Sequence, residues 1–318
     1  MSISIGQYTA LYASIFIAQT QGFYKQAGVD VTIQGNGTNY ATAMLSNHAD
    51  LTLSGPTSAF APAQQGKATR VVAETTRALP GGILVAKDSP IKTLQDLAGK
   101  KFAAFAPGSS SYGFGEAVSS YIQQHGAKKA MDVAVQSSTS GDFGELVASG
   151  AADATQENPE GAIPLLNAGK VRWLVAPGDP LMTTLIPATV VGFSVWTLQD
   201  HIDKNETGIA RFVAGLRMAN KWIAAHSDAQ VAQSLSKVGG FSAIKMPDLV
   251  AAVKLDRTNY PTEDGNISQE RWDKDSIPVW KTWKMDLNVE DPTFSWAKIV
   301  NMKPWNDSTA IVDKAGGA

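Results

Sequence analysis

Two α/β lobes joined by a hinge, with a ligand cleft between them, are the fold class predicted by three features of this 318-residue chain. Short strands alternate with short helices along the first half. A polar strand end rich in Gly, Ser and Thr occurs once in each presumptive lobe, at Ser54-Gly55-Pro56-Thr57-Ser58 and at the turn before Ser109-Ser110-Ser111. Two crossings, near Lys87-Asp88-Ser89-Pro90 and near Pro177, Pro180 and Pro187, divide the chain into a discontinuous first lobe and an inserted second one. The boundaries expected are 1–86 and 188–318 for the first lobe with its C-terminal helices, and 87–187 for the second.

The elements follow in order. Ser2 to Gln7 reads as a strand through alternating Ile3 and Ile5. Tyr12, Ile15, Phe16 and Gln19 then recur at helical spacing, with Gly22 as the stop. Val29, Val31 and Ile33 alternate as a second strand, and Asn39 stands where it can cap a helix running to Ser46. Leu51 and Leu53 mark a third strand, and Thr69–Glu74 and Ile83–Ala86 two more. Alternation of this kind predicts a mainly parallel sheet with helices on both faces. In the second lobe Thr93 and Asp96 form a short capping-box signature. Strands follow at 102–105, 131–135, 152–155 and 171–175, with helices at 112–125 and 142–149. Val190 to Val195 rejoins the first sheet. A long helix spans 206–226, with Ile209, Phe212, Val213, Leu216 and Trp222 on one face. Shorter helices cover about 228–237, 247–257 and 268–284, and the tail beyond Asn288 wraps the first lobe.

Composition bounds the function. Hydrophobic residues make up 44% and charged residues 18%, the balance of an ordinary folded protein. A net charge of −2, with no block of Arg or Lys, argues against nucleic acid as a partner. Eight tryptophans, mostly in the last third, read as packing residues. The chain has no cysteine, which removes disulfides, thiol nucleophiles and thiolate metal sites. Its four histidines have no paired spacing, so no metal is expected, and no glycine motif for a nucleotide cofactor is present. The opening MSISIGQ carries no secretory leader, which a removed leader and a cytoplasmic protein would explain equally.

Four segments carry a family likeness. IGQYTALYASIFIAQTQGFYKQAGVDVTI resembles the opening of nitrate-, sulfonate- and taurine-type solute-binding proteins. LSNHADLTLSGPTSAFAPAQQG is similar to the family's small strand-to-helix segment, with His48-Ala49 where glycine is usual. LQDLAGKKFAAFAPGSSSYGF resembles its second-lobe entry, and GDFGELVASGAADATQENPEGAIPLLNAG a later stretch ending in proline. The order and spacing match over roughly residues 3 to 175. The resemblance implies the periplasmic binding protein type II fold, a periplasmic location and a monomer closing on one small solute. It also implies a membrane permease and its ATPase subunit as partners, with no cofactor. Thiamine-pyrimidine precursor proteins share the fold. The synthase among them uses a histidine and a cysteine-rich motif, and the absence of cysteine makes it a poor match.

Ligand-binding residues are expected at the strand ends. Ser109, Ser110 and Ser111 open the second-lobe helix, where backbone N–H groups and hydroxyls together suit a carboxylate or sulfonate. Their competing role is a helix cap. Gly55 lets the backbone approach a ligand, while Thr57 and Ser58 offer hydroxyls; plain turn chemistry is the alternative. Tyr8 and Tyr12 form one aromatic wall, and Tyr112 and Phe114 a facing one, unless each packs in the core. Arg77, on a strand-end loop, can pair two-pronged with an anion, and an exposed arginine there is equally ordinary. Glu157 accepts a bond from a ligand amine or hydroxyl, closes the lobes, or is solvated. Together these describe a non-catalytic importer component for a small organic anion, sulfonate or carboxylate and aromatic if the tyrosines take part. The alternative is an enzyme of pyrimidine or cofactor synthesis on the same fold.

Overall fold

The computed structural model describes residues 1–77, 81–105, 107, 109–135, 143–261, 265–283 and 287–316. Among the described residues there are ten strands: β1 (Ser2–Ile5), β2 (Thr32–Gly35), β3 (Leu51–Ser54), β4 (Thr69–Glu74), β5 (Gly82–Ala86), β6 (Lys101–Ala104), β7 (Asp132–Val135), β8 (Ala154–Glu157), β9 (Val171–Val175) and β10 (Ser194–Leu198). They form two five-stranded sheets, ordered β2-β1-β3-β10-β4 and β7-β6-β8-β5-β9. Each sheet is the centre of one α/β lobe.

The sheets are mixed, where the alternation of elements predicts mainly parallel ones. β1 pairs in parallel with β2 and β3, and β6 with β7 and β8. β10 runs antiparallel to β3 and β4, and β5 antiparallel to β8 and β9. The reason is the direction of entry. The chain leaves β4 at its carboxyl end, crosses, and enters the second sheet from the cleft side, so β5 must run against its neighbours. β10 enters the first sheet on the way back by the same route.

The first lobe boundary therefore moves. β5 belongs to the second sheet, so the outward crossing lies between Glu74 and Gly82, and not at residues 86–87. Lys87 lies inside the second lobe, its N–H bonded to Lys170 O at 3.0 Å. The return crossing, between β9 and β10, contains the expected boundary near 187. The two crossings lie side by side: Arg77 bridges Val191, and Thr75 N donates to Phe193 O at 2.8 Å. Glu74 and Arg271 brace them through two bonds of 3.0 Å. Gly192 N also donates to Glu74 Oε1 at 2.9 Å, and Arg271 Nε to Thr189 O at 3.1 Å. Burial pushes the Glu74 carboxyl up, against the pull of Arg271.

Local structure follows sequence with small shifts. The helix Ala13–Thr20 ends before Gly22, whose φ of 77° suits glycine. Asn39 makes no capping bond to its helix, Tyr40–Leu45. The Thr93–Asp96 capping box forms around a single turn, Leu94–Leu97. The long helix begins early, at Gln199, and kinks at Asn205 before running to Ala225. Asp142 and Lys284, expected at the limits of two helices, lie outside the described residues.

The tryptophans pack as expected. Trp196, Trp272, Trp280 and Trp283 are buried. Phe60 of the first lobe stacks on Phe294 at 4.6 Å and meets Trp272 and Trp280 edge-on. Trp283 continues this apolar cluster to the second-lobe helix Ser110–Gln124, where it lies against Gly113 so closely that no Cβ fits. One C-terminal stretch thus touches both lobes. The last helix, Lys303–Gly316, packs on the long helix of the first lobe.

Candidate functional site

A cavity of about 320 Å³ lies where the carboxyl ends of the two sheets face each other. Four strand ends supply most of its lining. β1 runs into Gly6 and Gln7, and β3 ends in Ser54 with Gly55, Thr57 and Ser58 after it. β6 runs into Phe105, Pro107 and Ser109–Ser111, and β8 carries Gln156 and Glu157, with Asn158 next. Strand carboxyl ends are where this class of sheet leaves a crevice, because each parallel strand must turn there into its return helix.

The polar end is built at two turns. Ser109 is the N-cap of the second-lobe helix, and its Oγ accepts a bond from Tyr112 N at 3.3 Å. Phe105 N donates to Ser111 Oγ at 3.1 Å, which ties the strand end to the helix start. Opposite, Ser58 N donates to Gly55 O at 3.0 Å, closing the turn that holds Thr57. Gly55 meets Ser110 across the lobe boundary, and a Cβ on Gly55 would lie 2.1 Å from Ser110 Oγ. A side chain at position 55 would have to push the Ser110 hydroxyl aside, so the two lobes touch at the cavity's polar end.

The remaining walls are apolar. Tyr12 stands edge-on to Phe193 at 5.4 Å, and Phe105 edge-on to Phe143 at 4.6 Å. Tyr40, Leu53 and Leu287 complete the apolar side. Burial, and then the neighbouring Tyr40 and Glu160, push the Tyr12 hydroxyl well up, so it stays protonated. A flat or elongated apolar body fits between such faces, with its polar group toward the serines.

Eight of the twelve expected positions line this cavity: Tyr12, Gly55, Thr57, Ser58, Ser109, Ser110, Ser111 and Glu157. Four do not. Tyr8 is half-buried against the first-lobe core, stacked on Phe16 at 5.5 Å and edge-on to Phe241. Arg77 turns to the C-terminal side, donating to Tyr260 O at 3.3 Å and Thr258 O at 3.2 Å. Phe114 is one helical turn below Ser110, about 6 Å deeper along the axis, and is fully buried near Phe102. Tyr112 is rotated about 200° from Ser110 around the same helix and is half-buried outside the cavity. Glu157 lines the cavity with its carboxylate engaged. It accepts Gly144 N at 2.8 Å and Asn158 N at 3.0 Å, so it ties two helix starts to β8.

Sequence reasoning missed several lining residues. Gln7, Gln156 and Asn158 sit at strand carboxyl ends, and the topology rule that singled out Glu157 would have found them. Tyr40, Phe143, Phe193 and Leu287 come from a helix, a second helix, the return crossing and the C-terminal segment, with no local cue. Among the described residues no group of three or more His, Cys, Asp or Glu could hold a metal. No described helix is long and apolar enough to cross a membrane.

Two lobes with these mixed sheets, enclosing a cavity at their strand ends, make up the periplasmic binding protein type II fold. The chain belongs to the NMT1/THI5 like family, whose profile matches residues 10–230. None of the curated proteins matches it in sequence. Among solved structures it is similar to a Bordetella bronchiseptica RB50 protein at 20% identity and a TM-score of 0.77, covering 97% of this chain and 96% of that one. The periplasmic aliphatic sulphonate binding protein SsuA from Escherichia coli matches at 18% identity and 0.63, over 96% and 90% of the two chains. The desulfurization enzyme DSZB, solved as a mutant with biphenyl-2-sulfinic acid, matches at 16% and 0.60, over 100% and 98%. The fold is thus associated with periplasmic proteins and carries both binding proteins and an enzyme.

Proposed function

We propose that this protein is the solute-binding component of an ABC importer, working in the periplasm. It takes a small organic anion, a sulfonate or a carboxylate with an apolar or aromatic body, and delivers it to a membrane permease and its ATPase subunit. The observation that carries this reading is the cavity shared by both lobes, hydroxyl-lined at one end and aromatic along its walls. An anionic head accepts bonds at the start of the Ser110–Gln124 helix, each charge-assisted bond worth about 1.5–3 kcal/mol. The body displaces water from between Tyr12, Phe105, Phe143 and Phe193. Two relatives of the same fold, named for aliphatic sulphonates and solved with an aryl sulfinate, fit this chemistry. The lobes close about the paired crossings, and the ligand supplies the free energy that favours the closed form.

The enzymatic alternative has less support. Glu157 is the only carboxylate among the described lining residues, and its oxygens accept backbone N–H groups, a poor starting point for proton transfer. Titration calorimetry against benzenesulfonate, benzoate, butanesulfonate and their neutral amide counterparts tests the reading. One-to-one binding of acids over amides, with no product after prolonged incubation, is expected. Binding of none of them, or conversion of a bound acid, would overturn it.

A further inference from the structure

Near Tyr12 of the cavity wall, a half-buried Glu160 and a fully buried Asp256 bring carboxyl groups from both lobes together, with no cation between them among the described residues. Glu160 lies in the second-lobe helix Pro159–Asn167, and Asp256 ends the first-lobe helix Met246–Asp256. These two helices pack together across the lobe boundary, and Asn167 Nδ2 donates to Asp248 Oδ1 at 3.0 Å over the same contact. Glu160 Oε1 accepts Ala10 N of the first lobe at 3.2 Å. Its Oε2 is shut off from water without a partner, and so are both oxygens of Asp256, which is fully buried.

The described neighbours supply no compensating charge. Tyr260 donates its hydroxyl to Ala10 O at 2.9 Å. Arg257, next to Asp256 in sequence, spends its guanidinium on Asp228 at 2.5 Å and on the carbonyls of Ile223 and His226. Tyr12, which senses Glu160, is held protonated by burial and adds no charge. Two ionised carboxylates in such a place would be prohibitively unfavourable, whereas one held neutral removes most of the conflict. The helices belong to different lobes, so opening parts Glu160 from Asp256.

We propose that closing of the lobes takes up a proton at the Glu160–Asp256 contact, so that acid favours the closed, ligand-holding form and neutral to alkaline pH favours release. The inference rests on the reading that the lobes open and close around a solute, but its test needs no ligand. Burial raises the Asp256 carboxyl, and repulsion from Glu160 raises it further; burial also raises Glu160, against the Thr9 hydroxyl and the N–H groups of Ala10 and Glu160, which lower it. Separating the lobes removes the repulsion between the two carboxyls and so lowers the pair toward the usual carboxylate range. Below that range both forms are protonated and closing does not depend on pH. Between that range and the raised values closing binds a proton, so the closing constant falls about tenfold for each pH unit of increase. Above the raised values it levels off.

The chain has no cysteine, so the full protein can be spin-labelled at Gln65→Cys in the first lobe and Gln124→Cys in the second, both exposed. The interlobe distance is then measured without ligand from pH 8.5 to pH 4.5. A closed fraction that grows on acidification is expected in the parent, with the response lost in Asp256→Asn, which holds the neutral form at every pH. Glu160→Gln provides the same check should Asp256→Asn fail to fold. A closed fraction constant over the range, or an unchanged response in both variants, would overturn the proposal. A protein that closes with acid yet binds none of the test acids fails the functional reading alone.

Discussion

Gly55→Ala is the sharpest test of how this molecule closes. Gly55 has φ −58° and ψ 143°, angles that alanine adopts freely, so the substitution brings no backbone strain. Its whole effect comes from the new Cβ, 2.1 Å from Ser110 Oγ and 3.4 Å from Ser110 Cβ. Overpacking of this kind costs about 1–3 kcal/mol. Gly55 and Ser110 sit on opposite lobes, so the cost falls on the closed form only. The closing constant should drop about 5- to 150-fold. Removing the Ser110 hydroxyl leaves an ordinary contact, so Gly55→Ala with Ser110→Ala should close nearly as the parent does. The distance between labels at positions 65 and 124 reports closure directly, and so separates it from any loss of a ligand bond at Ser110. The reasoning fails if Gly55→Ala closes like the parent, or if the double variant stays as open as the single one.

Two stability predictions follow from buried polar groups. Trp196 Nε1 donates to Ser54 Oγ at 2.7 Å inside the core, so Ser54→Ala strands the indole N–H and should cost about 1–3 kcal/mol by denaturant midpoint at unchanged slope. Pairing it with Trp196→Phe should give less than the sum of the two single effects. Arg271→Ala leaves Glu74 buried without its guanidinium and should cost about 3–5 kcal/mol, and Arg271→Lys should recover little because the pair is two-pronged. The sign with pH follows from Glu74, which burial already raises: without Arg271 it rises further, the folded form binds more protons, and the deficit should shrink as pH falls.

The first strand, the helix stopped at Gly22, the limits of β4 and β9 and the capping box at Thr93 were all legible, because each rests on neighbours in sequence. So were the polar turns after β3 and β6, since a strand that turns into a helix needs small hydroxyl residues there. Arg77 was misplaced because nothing near it in sequence reveals the carbonyls of Thr258 and Tyr260. Tyr8 and Phe114 were misplaced for a related reason: a strand end or helix start brings a residue near a cleft, but packing against Phe241 or Phe102 decides which way the ring turns.

By itself, then, the order of residues determined the alternating elements, the two hydroxyl-rich junctions and the family likeness, all consequences of short-range preference and burial pattern. Tertiary structure alone decided that β5 crosses to the second sheet, that Gly55 and Ser110 meet, that Glu157 is tied to two backbone N–H groups, and that Glu160 faces the first lobe near Asp256. Those pairings join residues up to 150 positions apart, and their geometry exists only once both lobes are packed.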